Sequence, residues 1–278
     1  MAKVNIKLIM TAVVTLVATI AIGSTSAHAA TSPQLGVAGS YSVLGHTTVT
    51  NTGATTMPGD LGISIGGAPV GFPPGVVGPP GTIRNAADSL AAQNDNTAAF
   101  GFIDQGCDVT YPGIFKDLVG ENLVPGVYCA DAFELSGTLT LSGQGVWIFK
   151  SASTLTTSSG ASVVGGDPCN VWWREVSSAA LGTNTSLTGN VLALTSITLQ
   201  TGASLDGRAL AQTGAVTLDD NTITGSTCLT TPVYKESVTP KLPNTGLQPK
   251  ADNTILITAA VATSILLALL FIQKKRSV

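Results

Sequence analysis

Few side chains in this 278-residue chain could do chemistry, and their spacing argues against most of it. Acid–base catalysis needs acids and bases converging in a groove. The densest candidate set is Asp206, Arg208, Asp219 and Asp220. Arg208, however, opens an apolar, strand-like piece, whereas Asp219 and Asp220 fall at a turn, so the four are not expected to converge. The cysteines Cys107, Cys129, Cys169 and Cys228 form no C-x-x-C pair, and His46 is the only histidine past the N-terminal leader. That is too poor a ligand set for zinc. No metal, no cofactor and no enzymatic activity are expected. What remains is hydroxyl chemistry. Residues 190–225 read "NVLALTSITLQTGASLDGRALAQTGAVTLDDNTITG", nearly two copies of a pattern in which Thr and Ser separate single aliphatic residues. Regularly spaced methyls and hydroxyls make a surface rather than a reaction centre, which raises the question of what holds them in a plane.

The ends of the chain set the compartment. Residues 1–30 hold Lys3 and Lys7, an apolar run from about Leu8 to Ile22, and small residues at Ala27 and Ala29 that suit cleavage. This is the pattern of a secretory signal peptide. At the other end, residues 242–278 contain "LPNTG", a polar spacer, an apolar stretch over 255–272 and a basic tail with Lys274, Lys275 and Arg276. An uncharged stretch of that length can roughly span a bilayer, with the cations holding the tail on the cytoplasmic side. Motif, span and tail in this order resemble the cell-wall sorting signal of Gram-positive surface proteins. The resemblance implies that sortase cuts between Thr245 and Gly246 and joins Thr245 to peptidoglycan, so that the membrane is touched only transiently before sorting. It also implies a secreted protein attached to the wall of a Gram-positive bacterium. The exported part, residues 31–245, then carries 7 cations against 15 carboxylates, a formal charge of 7 − 15 = −8. Such a surface repels nucleic acid. An even cysteine count outside the cell reads as two disulfides, with three possible pairings.

The threonines sit in a repeat. Lines beginning at Val146, Val171, Val191 and Arg208 stand one above another, with steps of 25, 20 and 17 residues. Short strand-like pieces at periods near 20 residues indicate stacked coils, each burying its face against its neighbours. Every line holds three pieces, hence three sides per coil. In the second piece ("TLT", "ALG", "ITL", "VTL") and the third ("SVV", "SLT", "SLD", "TIT"), aliphatic residues alternate with small polar ones, as strands with one buried face do. Val163, Leu187, Leu205 and Ile223 are expected to point inward. The first piece ("VWIF", "VWW", "VLAL", "RALA") is apolar on both sides, so something must cover it. The candidate cover is a helix over about 83–104, in which Ile83, Ala87, Leu90, Ala91, Ala98 and Phe102 recur at helical spacing. The Pro/Gly-rich residues 66–81 are expected to be a loop leading to it.

Four segments carry a further resemblance: "LGVAGSYSVLGHTTVTNTGATTMPGDLGIS", "LVPGVYCA", "CNVWW" and "LDGRALAQTGAVTL". Together, over about residues 35–226, they resemble the ice-binding domain found in bacteria, fungi and diatoms. The resemblance implies an all-β solenoid with one helix: a right-handed, discontinuous β-helix of triangular section, with N-terminal coils beside C-terminal ones and a long α-helix along one face. It also implies that one flat face of small residues and Thr binds ice. Carried onto this sequence, that face is the second piece of each C-terminal coil with the first N-terminal strand. The ice-binding candidates are Thr154, Thr156, Ala180, Thr198, Thr217, and Thr48 with Thr50 around an inward Val49. Rungs of a stack lie about 4.8 Å apart, so outward Thr side chains form a grid. β-branched side chains have few rotamers to lose in it. Charge would disturb water ordered on such a grid, and these positions carry none.

The resulting layout is a signal peptide (1–30), the β-helix domain (31–228), a linker (229–241) and the sorting signal (242–278). The third face, with Asp206 outward, is less flat and is not expected to bind ice. The wall anchor keeps a rival in play, an adhesin of the same fold that binds a non-ice ligand such as a glycan or host surface. Cys169 enters a coil and Cys228 follows the last one, while Cys107 follows the helix and Cys129 lies in "PGVYC". These positions lead us to expect the pairs Cys107–Cys129 and Cys169–Cys228.

Overall fold

The structure, a computed structural model, describes residues 29–225. The leader, Cys228, the linker and the sorting signal with Thr245 and Gly246 lie outside the described residues.

Short strands recur three to a coil and pair only in parallel, making three sheets of eight, seven and eight strands. Within the C-terminal coils one turn runs Asn190–Ala193, Ile197–Leu199 and Ser204–Asp206, and the next Ala209–Ala211, Val216–Asp219 and Thr222–Ile223. The expected three-sided solenoid is therefore present, and so is its discontinuity. Val43 pairs with Ala209, Val49 with Val216 and Thr56 with Thr222, which seats the first coil directly on the last. The chain then crosses to the far end of the stack, where Val109–Thr110, Lys116–Asp117 and Asn122–Leu123 form the terminal coil. The helix Ala86–Phe102 is the rod that makes this crossing. Its 17 residues span about 25 Å at 1.5 Å each.

Alternation builds the core. In the second sheet Val49, Val216, Ile197, Leu155 and Phe133 point inward and are fully buried. In the third, Val163, Leu187, Leu205 and Ile223 also point inward, at 6% exposure or less. A column of rings, Tyr128, Phe149 and Trp173, stacks inside the first sheet with centroids 5.5 and 4.1 Å apart. The first sheet is apolar outside as well: Val127, Ile148, Trp172, Leu192 and Leu210 form a second cluster with Ala92, Ala99 and Phe100 of the helix.

Two expectations need correction. The helix does cover the first sheet, but not with the expected stripe. Leu90 and Phe102 are 47% and 52% exposed, and Ala87, Ala91 and Ala98 also face solvent. Ile83 precedes the helix, 49% exposed, and bridges to Leu61. The buried side is Ser89, Ala92, Gln93, Asn96, Ala99 and Phe100. Close approach is the reason. A Cβ on Gly62 would lie 2.2 Å from Ser89 Oγ and 2.6 Å from Tyr41 Cε1, so small side chains must face the sheet there. Residues 66–81, expected to be a plain loop, are instead an irregular outer coil. Val70 bridges to Thr50, and Val76–Val77 pairs with Thr56–Met57.

A disulfide joins Cys107 to Cys129, 22 residues apart, and ties the chain just past the helix to the outside of the first sheet. Cys169 is also disulfide-bonded, and the partner expected for it, Cys228, lies outside the described residues.

Candidate functional site

The second sheet sets its outward residues in register from coil to coil. Thr50 pairs with Thr217, Thr217 with Thr198, Thr198 with Ala180 and Ala180 with Thr156. Five of the seven expected positions thus form one continuous column. Thr48 and Thr154 stand two residues before Thr50 and Thr156, just ahead of their strands, and belong to a second, parallel column. Backbone hydrogen bonds show how that column is filled: Val216 N donates to Thr48 O, Ile197 N to Ala215 O, Ala179 N to Ser196 O and Leu155 N to Ser178 O. The small residues Ala215, Ser196 and Ser178 therefore lie between Thr48 and Thr154. They were missed in the sequence, although period-2 alternation from Thr217, Thr198 and Ala180 leads to them.

The hydroxyls of the two columns differ in their commitments. Ser178 Oγ accepts from Ser196 N at 3.3 Å, and Ser196 Oγ accepts from Ala215 N at 3.2 Å, so these serines brace the strand starts. Among the described residues, the side chains of Thr48, Thr50, Thr154, Thr156, Thr198 and Thr217 make no protein hydrogen bond. Their hydroxyls are left to water. Rigidity comes from beneath, because Thr217 and Thr198 are flanked along their strands by fully buried residues, Val216 with Leu218 and Ile197 with Leu199.

The charge-free character has a boundary that the sequence reading did not reach. Beyond Thr156 the same column continues to Glu134 and Asp117. Asp117 is held by the Ser136 hydroxyl and by the amides of Val119 and Ser136 at 3.0 and 3.1 Å. Burial raises its carboxyl, but these bonds outweigh that and leave its pKa lowered. At the opposite end Val70, 61% exposed, closes the column beside Thr50. The uncharged grid therefore spans five rungs, roughly 19 Å at 4.8 Å per step.

The third sheet carries its own outward row, in which Thr138, Ser162, Ser186, Ser204, Thr222 and Thr56 pair in succession. Many hydroxyls of this face are spent internally. Thr138 and Ser162 bond each other at 3.0 Å, Ser204 Oγ donates to Thr185 O at 3.4 Å, and Thr224 Oγ1 donates to Asp206 Oδ1 at 2.9 Å. Asp206 stands exposed in it beside Thr188.

The possible acid–base residues are scattered. Arg208 is buried at a corner, donating to Gly39 O and Asn190 Oδ1. Burial lowers its pKa to about 10, which leaves it charged at neutral pH. Asp219, expected at a turn, instead ends the second-sheet strand opposite Thr52, two residues past Thr217 at the edge of the grid, and accepts from the Thr201 hydroxyl, while Asp220 accepts from Ala54 N at 3.2 Å. Asp206 lies on another sheet. No three of His, Cys, Asp and Glu come together to hold a metal among the described residues.

A family model described as ice-binding-like matches residues 43–224, and one described as LPXTG cell wall anchor motif matches residues 234–278. An ice-binding protein of Nostoc sp. (strain HG1) is 43% identical over 265 residues, covering 91% of this chain and 90% of that protein. One of Flavobacterium frigoris (strain PS1) is 30% identical, covering 73% and 79%. Among solved structures, an ice binding protein from an Antarctic biological consortium superposes with a TM-score of 0.66 at 39% identity, covering 72% of this chain and 94% of that one. One from the Antarctic ascomycete Antarctomyces psychrotrophicus gives 0.65 at 38%, covering 70% and 98%.

Proposed function

The chain belongs to the ice-binding-like family, and from that premise we propose that it is a cell-wall-anchored ice-binding protein that adsorbs to ice through the outward grid of its second sheet. The observation that carries the choice of face is the column Thr50, Thr217, Thr198, Ala180 and Thr156, uncharged and in register, with threonine hydroxyls that no protein group uses. Thr48 and Thr154 extend the grid sideways through Ala215, Ser196 and Ser178. Methyls and hydroxyls at fixed spacing can hold a layer of water in lattice-like order, and the summed contact over many rungs matters more than any single one. No catalytic step enters this reading.

The reading also assigns the chain's other parts. The leader over 1–30 is removed on export, the domain ends near residue 228, and a linker over 229–241 leads to the sorting signal. Thr245 is the residue that sortase joins to peptidoglycan, with cleavage before Gly246, in the manner of Gram-positive surface proteins.

Thr217 offers a direct test. Because it is exposed, Thr217→Tyr is expected to change folding stability by less than about 0.5 kcal/mol. Its ring would stand above the grid and hold the face away from a crystal. The wild-type chain should shape growing ice crystals, and the variant should lose most of that effect. Unaltered ice growth with the wild type would overturn the ice reading and favour an adhesin for a non-ice ligand, whereas equal action by both proteins would place the contact on another face.

A further inference from the structure

We infer that Glu134 sets the length of the ice contact: its carboxylate ends a grid whose scaffold continues for one more coil. This rests on the ice reading of the second sheet and adds to it the residue that limits the contact. Glu134 pairs with Thr156 and so occupies the sixth rung of the column that starts at Thr50. Its neighbours along the strand, Phe133 and Leu135, are fully buried, as Ile197 and Leu199 are around Thr198. The strand beneath Glu134 is therefore held as firmly as the strand beneath Thr198.

The second column gives an independent sign that the face does not end at Thr156. Phe133 N donates to Thr154 O and Lys116 N to Ala132 O, which continues that column from Thr154 to Ala132 and then to Phe115. At the sixth rung the second column thus offers a single methyl, small and uncharged, beside the carboxylate of the first. At the seventh rung both columns change character, because Phe115, 48% exposed, stands beside Asp117. Within the sixth rung, one side chain alone interrupts the grid.

Hydration is the reason that it interrupts. An ionised carboxylate holds water strongly in an arrangement of its own, and pressing it against an ordered layer strips part of that shell with no compensating partner. Among the described residues the Glu134 carboxyl makes no hydrogen bond and no ion pair. The cation of the next coil, Lys116, lies over the Tyr111 ring and pairs with Glu121, while Asp117, which pairs with Glu134 across the strands, has the same sign of charge. The other carboxylates of this sheet are committed. Asp117 takes the Ser136 hydroxyl and the amides of Val119 and Ser136, and Asp219, at the lateral edge, takes the Thr201 hydroxyl. Glu134 can therefore be replaced without breaking a bond made by its head group.

The experiment measures the thermal hysteresis of the full chain at equal molar concentration for the wild type, Thr198→Tyr, Glu134→Thr and Glu134→Lys, with urea midpoints to establish that each is folded. Thr198→Tyr tests the face, and the Glu134 variants test its boundary. Glu134→Thr is expected to raise hysteresis to roughly 1.2-fold of wild type or more, the ratio of six rungs to five, whereas Glu134→Lys is expected to give no gain. Glu134→Gln, similar in size and uncharged, should gain as well and keeps the test decisive if the threonine variant folds poorly. Loss in Thr198→Tyr, with neither uncharged Glu134 variant better than the wild type, would overturn the boundary and leave the ice reading standing. Equal gains in Glu134→Thr and Glu134→Lys would also overturn it, since charge would then not be what ends the contact. Absence of hysteresis in the wild type would sink the ice reading, and this inference with it.

Discussion

At the scale of residues, the solenoid uses one polar group where none was foreseen. Glu175 lies inside the coil, fully buried, in register with Ser151 and Ala193. Its carboxyl takes a hydrogen bond from the Ser151 hydroxyl through Oε2, and Oε1 has no partner. The neighbouring Arg174 points outward, over the Phe100 ring and towards Asp104. Burial pushes the pKa of Glu175 up to about 8, against an ordinary 4.5, while the Ser151 bond and the Arg174 charge pull the other way. The folded chain therefore keeps a proton that the unfolded chain releases between those two values. The sign follows: stability falls as pH rises from 4.5 to about 8, by up to about 1.4 kcal/mol per pH unit, and levels off above. Glu175→Gln should remove that slope and be the more stable protein at pH 8, as denaturant midpoints at pH 5, 6.5 and 8 would show. Parallel curves for the two proteins would mean that Glu175 does not titrate as placed.

At the scale of elements, the helix lies where its periodicity predicts but turns the opposite side to the sheet. Its exposed stripe is apolar, while its buried side holds Ser89, Gln93 and Asn96. Leu90→Lys and Phe102→Ser should thus shift stability by no more than about 0.5 kcal/mol each. Gly62→Val, which drives a side chain into Ser89 and Tyr41, should destabilise by about 1–3 kcal/mol. Urea unfolding of the three variants distinguishes the two orientations, since core positions at Leu90 and Phe102 would reverse the ranking. The misreading has a physical origin. Hydrophobic spacing marks the buried side only when burial is limited by water; here it is limited by distance, and Ser89, Ala92, Asn96 and Ala99 recur at the same helical spacing as the apolar set. The coils of the last third were legible because Val171, Val191 and Arg208 open near-equal repeats. The outer coil over 66–81 was not, because its pairing is a single bridge at Val70 and a two-residue pair that leave no alternation to see. The second sheet shows the same division: the repeat puts Thr198 and Thr217 in register, whereas Glu134 and Asp117 sit in earlier coils whose spacing hides their register.

At the scale of the molecule, one topological device arranges everything else. Seating the first coil on the last puts Thr50 beside Thr217 and lengthens the uncharged grid by a rung. It also obliges the chain to cross the stack, and the helix that does so covers the first sheet. With that sheet covered, and with Asp206 and hydroxyls bonded to carbonyls, to a carboxylate or to each other on the third, the proposed ice contact falls on the second. The most direct measurement is therefore a comparison of faces: the thermal hysteresis of the wild type, of Thr198→Tyr on the second sheet and of Ser204→Tyr on the third. Loss of most of the activity in Thr198→Tyr, with Ser204→Tyr close to wild type, is the predicted result. Loss in Ser204→Tyr alone, or no loss in either, would contradict the assignment of ice contact to the second sheet.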